Sequence, residues 1–486
     1  MSIGDSYCAS LDMARKKQHS RGKDMKISIV AAFVLSAACV ANADEKTKAV
    51  SPMPIQRTMN ALEKSTVSHP SRVRMLFYGQ SIVGQGWHTN IVRQLNERYP
   101  TAVLEVENRA IGGFTSPDLI RTAESDLYSF YPDILFFHVY GPTDKYEEII
   151  RKVRATTTAE IVLWTSHLEK KECETRESIE AILANPDERS KAIEDIAARY
   201  GCLFIDLRKK WCRMMLDTGV GYEKLLKDSI HLNPEGPAFC YYSNFIAEEL
   251  VRVPSANGLA EFSGTITEIP VTDSRVRSGP GGSLVLEFDG NRVVAVSDGT
   301  GCGVSDVLLD SKPPQEYPEM YFTTRPSKIV SWMPMIKHVE TVPGVCPVAE
   351  DWTLTYIEGT KPLGDPIRYK VEGSVTGFDG EGWNTNDFKS VSGRVVINKS
   401  DFHTWQYRYF IKECNGDKSL DSAPGQTITW STRPLFANPF SGGKMDERTT
   451  IVQNCSNGRH ILSITPADGG RIGIKSFIVY TPARRQ

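Results

Sequence analysis

From residue 73 to about 252, short apolar runs alternate with stretches whose apolar positions repeat at helical spacing. The runs predict strands over 73–78, 102–107, 133–139, 160–165 and 202–206. Two of them, Ile134-Leu135-Phe136-Phe137 and Ile161-Val162-Leu163-Trp164, are unbroken apolar blocks. Such blocks belong to a parallel sheet covered on both faces. Helices are predicted over roughly 88–98, 117–129, 145–155, 175–199 and 234–251. Strand alternating with helix implies an α/β, doubly wound parallel sheet, whose ligands bind at the carboxyl ends of the strands. Ser81, Gly113 and Thr143 each fall just after a predicted strand, so they should gather on that edge.

The pattern changes at Val253-Pro254-Ser255. From 259 to 486 the chain is rich in Gly, Thr and Val, with alternating segments such as 283–288 and 368–372. Turn pairs recur at Asp289-Gly290, Asp298-Gly299, Asp379-Gly380 and Asn457-Gly458. This half reads as all-β, a sandwich or jelly roll. Residues 323–440 are long for one such unit and suggest an insertion or a second β subdomain.

At the other end, residues 1–24 form a polar extension, and Met25-Lys26 opens an apolar run from Ile27 to Val40 that exits through Ala41-Asn42-Ala43. That order describes a secretory signal peptide over Met25–Ala43, with 44–71 linking it to the domain at 72–252. A lipid anchor at Cys39 is disfavoured because Ser36 stands three residues before it. The chain is therefore expected to be secreted or periplasmic, with no stable membrane insertion. Its 57 basic and 59 acidic residues leave a net charge of -2, with no basic excess to suggest nucleic acid. Beyond the leader stand Cys173, Cys202, Cys212, Cys240, Cys302, Cys346, Cys414 and Cys455. They are compatible with disulfides or with buried thiols. No Cys-x-x-Cys spacing indicates zinc, and no metal or cofactor is implied. The acidic loop at 379–382 has calcium-like chemistry but fits a hairpin turn better.

Two segments carry candidate chemistry. Gly79-Gln80-Ser81 ends the first strand, and Asp228-Ser229-Ile230-His231 precedes Asn233-Pro234, a predicted N-cap and first helical residue. A serine hydroxyl becomes nucleophilic when a base takes its proton, and a histidine base needs a carboxylate to fix its tautomer. The residues at 79–81, the stretch Asn108-Arg109-Ala110-Ile111-Gly112-Gly113, the stretch Gly141-Pro142-Thr143-Asp144, and Asp228 with His231 follow one another in a known order. In that order, over about residues 72–250, the chain resembles the SGNH or GDSL-type hydrolases, a flavodoxin-like esterase family.

The resemblance implies Ser81 as nucleophile, His231 as base and Asp228 as its orienting carboxylate. It implies an oxyanion hole from Ser81, Gly113 and the Thr143 position, where the family carries asparagine. Gln80 stands where the family has an acidic residue outside the triad. Trp87, His88, Asn108, His138 and His167 are candidate substrate contacts, with packing under the sheet the alternative for Trp87. The β-rich half, with Trp332, Trp352, Trp383, Trp405 and Trp430, loosely resembles jelly-roll modules beside carbohydrate esterases. An acylated, O-acetylated oligo- or polysaccharide is then the expected substrate. The alternatives are a glycan-binding or cell-surface protein with a degenerate hydrolase domain, and a lipase or thioesterase for longer acyl chains.

Overall fold

The computed structural model describes residues 53–254, 256–327, 334–359, 366–403, 424–467 and 469–484. The expected leader, Cys39, Cys414, Trp332 and Trp405 lie outside the described residues. Helix α1 (Gln56–Glu63) precedes a five-stranded parallel sheet of β1 (Arg72–Gly79), β2 (Val103–Asn108), β3 (Ile134–His138), β4 (Glu160–Trp164) and β5 (Leu203–Ile205). The spatial order β2-β1-β3-β4-β5 is that of a flavodoxin-like fold. Successive strand side chains point to opposite faces. Met75 and Phe77 accordingly join Trp87, Trp164 and Trp211 in one core, while Leu76 and Tyr78 join Leu119, Phe137 and Ile150 in another.

The covering helices are α2 (Ser81–Gly84), α3 (His88–Arg98), α4 (Ser116–Ala123), α5 (Thr143–Thr156), α6 (Arg176–Ala184), α7 (Glu188–Tyr200), α8 (Leu207–Thr218) and α9 (Ala238–Ala247). A π-helical turn, Glu124–Tyr128, extends α4. The single helix expected over 175–199 is two, because Pro186 lacks the N–H that a continuous helix needs and Asp187 caps the second. The helix expected from Pro234 begins instead at Ala238. Asn233 Oδ1 accepts the Glu235 N–H at 3.1 Å and so forms a side-chain turn rather than a cap.

The second half is antiparallel. Strands β6 (Thr265–Pro270), β7 (Val276–Ser278), β8 (Leu284–Ser297), β9 (Val304–Leu309), β17 (Phe440–Ser441), β18 (Arg448–Pro466) and β19 (Ile474–Thr481) form one seven-stranded sheet. Between β9 and β17 the chain builds a separate five-stranded sheet from β10 (Tyr321–Thr323), β11 (Glu350–Glu358), β12 (Arg368–Gly373), β13 (Gly377–Trp383) and β16 (Thr427–Pro434). A short ladder of β14 (Phe388–Lys389) and β15 (Val396–Ile397) lies beside it. This middle unit has its own core, in which Trp352 and Trp430 lie parallel at 6.3 Å. Asp379 lies inside β13 and receives the Ser392 N–H at 2.7 Å, so the 379–382 segment is a strand rather than a turn or an ion loop. Cys240 is disulfide-bonded, whereas Cys173, Cys202, Cys212 and Cys455 are buried thiols and Cys302 and Cys346 exposed ones.

Both β units pack on the α/β unit. Tyr131 donates to Asn291 Oδ1 at 2.8 Å, and Asn291 Nδ2 donates to the Thr156 carbonyl at 2.8 Å. On the middle unit, Arg325 holds Asp126 through Nε at 3.2 Å and Nη2 at 2.7 Å, with both side chains about 5% exposed.

Candidate active site

The end of β1 lies against β3 so closely that a Cβ on Gly79 would stand 2.1 Å from the His138 carbonyl oxygen. Glycine is therefore required there. The chain then turns into α2, with Gln80 as its N-cap accepting the Ile82 N–H at 2.6 Å. Ser81 becomes the first helical residue, at the carboxyl edge of the sheet. Its N–H is one of those that a helix start leaves without an intrahelical acceptor.

His231 and Asp228 sit on a loop pinned from three sides. Asp228 Oδ1 accepts the N–H groups of Ile230 at 2.9 Å and His231 at 2.8 Å. This side-chain turn, not a helix start, sets the spacing of the two residues. A bridge between Leu226 and Leu232 closes the loop's base. His167 Nε2 donates to the Ile230 carbonyl at 2.6 Å, and the Lys170 N–H donates to the Ser229 carbonyl at 2.9 Å. Gln85, at the C-cap of α2, makes a reciprocal pair with Leu232: its Nε2 donates to the Leu232 carbonyl at 2.9 Å and its Oε1 accepts the Leu232 N–H at 3.0 Å.

The outcome is a continuous hydrogen-bonded chain. His231 Nε2 meets Ser81 Oγ at 2.9 Å, and His231 Nδ1 meets Asp228 Oδ2 at 2.9 Å. Burial works against charge on Asp228, but the two backbone donors and His231 outweigh it and hold the carboxyl below its ordinary range. An ionised Asp228 accepts from Nδ1–H, which leaves the Nε2 lone pair facing the serine hydroxyl.

The loop after β2 lies beside the serine. A Cβ on Gly112 would stand 3.8 Å from Ser81 Cβ, and Gly113 adopts a left-handed φ of 78°. Thr143 opens α5, half-buried, after Gly141. The Gly112-Gly113 loop is tied to the Gly141 loop by Ser116, whose N–H donates to the Tyr140 carbonyl at 2.9 Å and whose Oγ donates to the Pro142 carbonyl at 2.8 Å.

Of the five residues expected at the substrate, Trp87, His138 and His167 are buried, whereas Asn108 and His88 are half-buried and hydrogen-bonded to each other. Trp87 is fully buried, at right angles to Trp164 and with Nε1 donating to the Ile82 carbonyl at 2.6 Å. It packs under the sheet. His138 and His167 are each 1% exposed. Because Gln80 Oε1 accepts the Ile82 N–H, its Nε2 faces His138 Nδ1 at 3.3 Å, which leaves His138 Nε2–H to donate to Ser166 Oγ at 3.1 Å. Burial, then Arg189 and His167, lower His138 to about 3. Burial lowers His167 to about 4 against the pull of the Ile230 carbonyl. Asn108 fastens the turn: its Nδ2 donates to the Val83 carbonyl at 2.9 Å and to His88 Nδ1 at 3.0 Å, and its Oδ1 accepts the Ala110 N–H at 3.1 Å. These residues support the edge from behind because an imidazole, indole or amide in this position satisfies backbone groups that the sharp turns expose.

A second serine, histidine and aspartate meet on the seven-stranded sheet: His460 Nδ1 faces Asp310 at 2.7 Å and Nε2 lies 3.2 Å from Ser456 Oγ. There Nε2 is nearer the Ser456 carbonyl, at 2.8 Å. A ring nitrogen that donates to a carbonyl has no lone pair for a serine proton. Among the described residues no group of three or more His, Cys, Asp or Glu side chains could hold a metal ion. No described helix is long and apolar enough to cross a membrane.

No family model and no curated protein matches the chain. Among solved structures, it is similar to a two-domain esterase active on acetylated mannans, with 12% identity over 90% of this chain and 98% of that one and a TM-score of 0.34. A variant acetyl xylan esterase from Geobacillus stearothermophilus shares 20% identity over 37% of this chain and 97% of its own, with a TM-score of 0.31. Another acetyl xylan esterase shares 21% identity over 36% and 99%, with a TM-score of 0.29. What bears on chemistry is the side-chain geometry at Ser81.

Proposed function

We propose that the protein is an exported serine esterase that removes acyl groups, O-acetyl above all, from carbohydrate. The observation that carries this is the chain of two 2.9 Å contacts from Ser81 Oγ through His231 to Asp228. His231 Nε2 takes the Ser81 proton as Oγ attacks the ester carbonyl. The oxyanion of the tetrahedral intermediate lies against the N–H groups of Ser81 and Gly113, with the Thr143 hydroxyl in the third donor's place. His231 then returns the proton to the departing sugar oxygen, and water, deprotonated by the same nitrogen, releases acetate from Ser81. Each backbone donor in such a hole is worth about 3–4 kcal/mol.

A small acyl group is distinguished from a fatty one by chain length, since a long acyl chain needs a deep apolar channel. Release of p-nitrophenol from the acetate ester, compared between the wild type and Ser81→Ala, tests the reading, with acetyl, butyryl and octanoyl esters ranking chain length. Equal rates in wild type and variant would end it. Preference for octanoyl would move the protein among lipases.

A further inference from the structure

In the Gly112-Gly113 loop, each glycine has more backbone conformations to lose on folding than any other residue type. Inside the α/β unit the loop is held at Ile111, whose N–H donates to the Gly79 carbonyl at 2.9 Å, and at Phe114, which is 1% exposed. The outer side of that hold comes from another unit. Met335 to Lys337 pairs with Asp401 to His403: the His403 N–H donates to the Met335 carbonyl at 2.9 Å, and the Lys337 N–H donates to the Asp401 carbonyl at 2.8 Å. This two-stranded bracket presents a row of side chains to one short stretch of the α/β unit. The His403 ring stacks on Phe114 with centroids 4.8 Å apart and planes 10° from parallel. Lys337 Nζ lies 2.8 Å from Asp118, whose carboxylate also accepts the Thr115 N–H at 3.2 Å in the capping box of α4. Arg121 is gripped by Asp401 through Nε at 2.9 Å and Nη2 at 2.7 Å, and by Glu340 at 2.8 Å.

We propose that this bracket of the middle β unit is a positioning element for the Gly112-Gly113 loop, with His403 its principal positioning residue, so that the α/β unit reaches full turnover only with the middle unit docked. The inference rests on the esterase reading. Every contact falls between Phe114 and Arg121, the segment that fixes where the loop re-enters the fold. A charge-locked helix start and a stacked ring together leave the two glycines little room to move the Gly113 N–H. His403 acts as a flat ring rather than as a base: burial, with Lys337 adding to it, lowers it to about 4, so it is neutral at neutral pH. It touches no reacting atom, and its effect is transmitted through Phe114.

The test uses the full chain and p-nitrophenyl acetate, with His403→Ala, His403→Phe, Lys337→Met and Ser81→Ala side by side. Thermal melting of each variant shows whether it is folded. A displaced oxyanion donor lowers kcat, and a misplacement near 1 Å costs about 100-fold. His403→Ala is expected to lose about 10- to 100-fold in kcat with KM within about twofold, because the ester is still bound. His403→Phe keeps the stack and is expected to restore kcat, while Lys337→Met, which folds on the unchanged core, gives a smaller loss in kcat alone. Wild-type kcat in His403→Ala overturns the inference, as does a loss that phenylalanine fails to restore. Should His403→Ala unfold, unchanged kcat in Lys337→Met together with no recovery in His403→Phe overturns it. An inactive Ser81→Ala beside a fully active His403→Ala removes the bracket and leaves the esterase standing. A fully active Ser81→Ala removes both.

Discussion

Gln85 gives the most direct test of how the site is assembled, because it joins the helix that carries the serine to the loop that carries the histidine. Replacing it with methionine keeps the length of the side chain and removes both hydrogen bonds to Leu232, a residue that is fully buried. The Leu232 N–H and C=O are then left without partners, and a buried backbone group in that condition costs about 1–3 kcal/mol. Two such groups, partly relieved by water from the half-buried Gln85 side, come to about 2–4 kcal/mol. For a unit of this size each kcal/mol moves the melting midpoint by about 2–4 °C, so a fall of about 5–10 °C is expected. Leu232 follows His231 directly, so the loss also frees the imidazole. Drift of Nε2 by about 1 Å from its position against Ser81 Oγ would lower kcat for p-nitrophenyl acetate about 100-fold. Differential scanning calorimetry and steady-state kinetics on Gln85→Met check both numbers. A midpoint within about 1 °C of wild type and kcat within about twofold would refute the view that this amide pair aligns serine and histidine, since both are smaller than one lost buried hydrogen bond can give.

Three further outcomes follow from the geometry. Asp228→Asn is expected to lower kcat by up to about 10⁴-fold with little change in melting, since the asparagine presents a donor where Nδ1–H needs an acceptor; a pH-independent loss under about tenfold would remove Asp228 from that role. Stability should fall as pH drops below 6.5, because His138 and His167 stay neutral in the fold down to about 3 and 4 while the unfolded chain takes up their protons. Each contributes a slope of about 1.4 kcal/mol per pH unit in that window, and urea titrations of His138→Gln between pH 6.5 and 4.5 should show a correspondingly flatter dependence. Asp126→Ala removes the carboxylate that faces the buried Arg325 guanidinium and is expected to cost about 3–5 kcal/mol, read as an earlier first transition in calorimetry; an unchanged scan would show that the pair does not hold the middle unit to the α/β unit.

The α/β architecture was legible because its strands are written as dense apolar blocks. The jelly-roll reading of the other half came from turn pairs and alternation, and length alone set residues 323–440 apart as an insertion or a second β subdomain. Helix α8 went unread, although Leu207, Trp211, Met214 and Met215 lie on one helical face and are buried. Lysines and arginines interleaved with them obscured the period. At the candidate site, Ser81, Asp228 and His231 were identifiable from order and spacing, since a triad needs particular chemistry at particular places. Gln85, His403 and Asp118 were not. A glutamine that bonds backbone looks like any surface glutamine, and His403 reaches Phe114 across 288 intervening positions of chain, by a path set only by how the units dock. The histidines behind the edge illustrate the opposite error. In sequence an imidazole suggests reactivity, whereas His138 and His167 are fastened inside by Ser166 and the Ile230 carbonyl.

The position of β19 has a consequence for how this protein comes into being. The strand that ends at Thr481 is not an edge strand: it lies between β8 and β6, pairing with Ile478 against Val294 on one side and Glu268 on the other. Until β19 has left the ribosome, β6 has no neighbour and β8 lacks its partner on that side. Synthesis must therefore pass β19 before this sheet can close, and a product cut short of it would expose raw strand borders for other molecules to join.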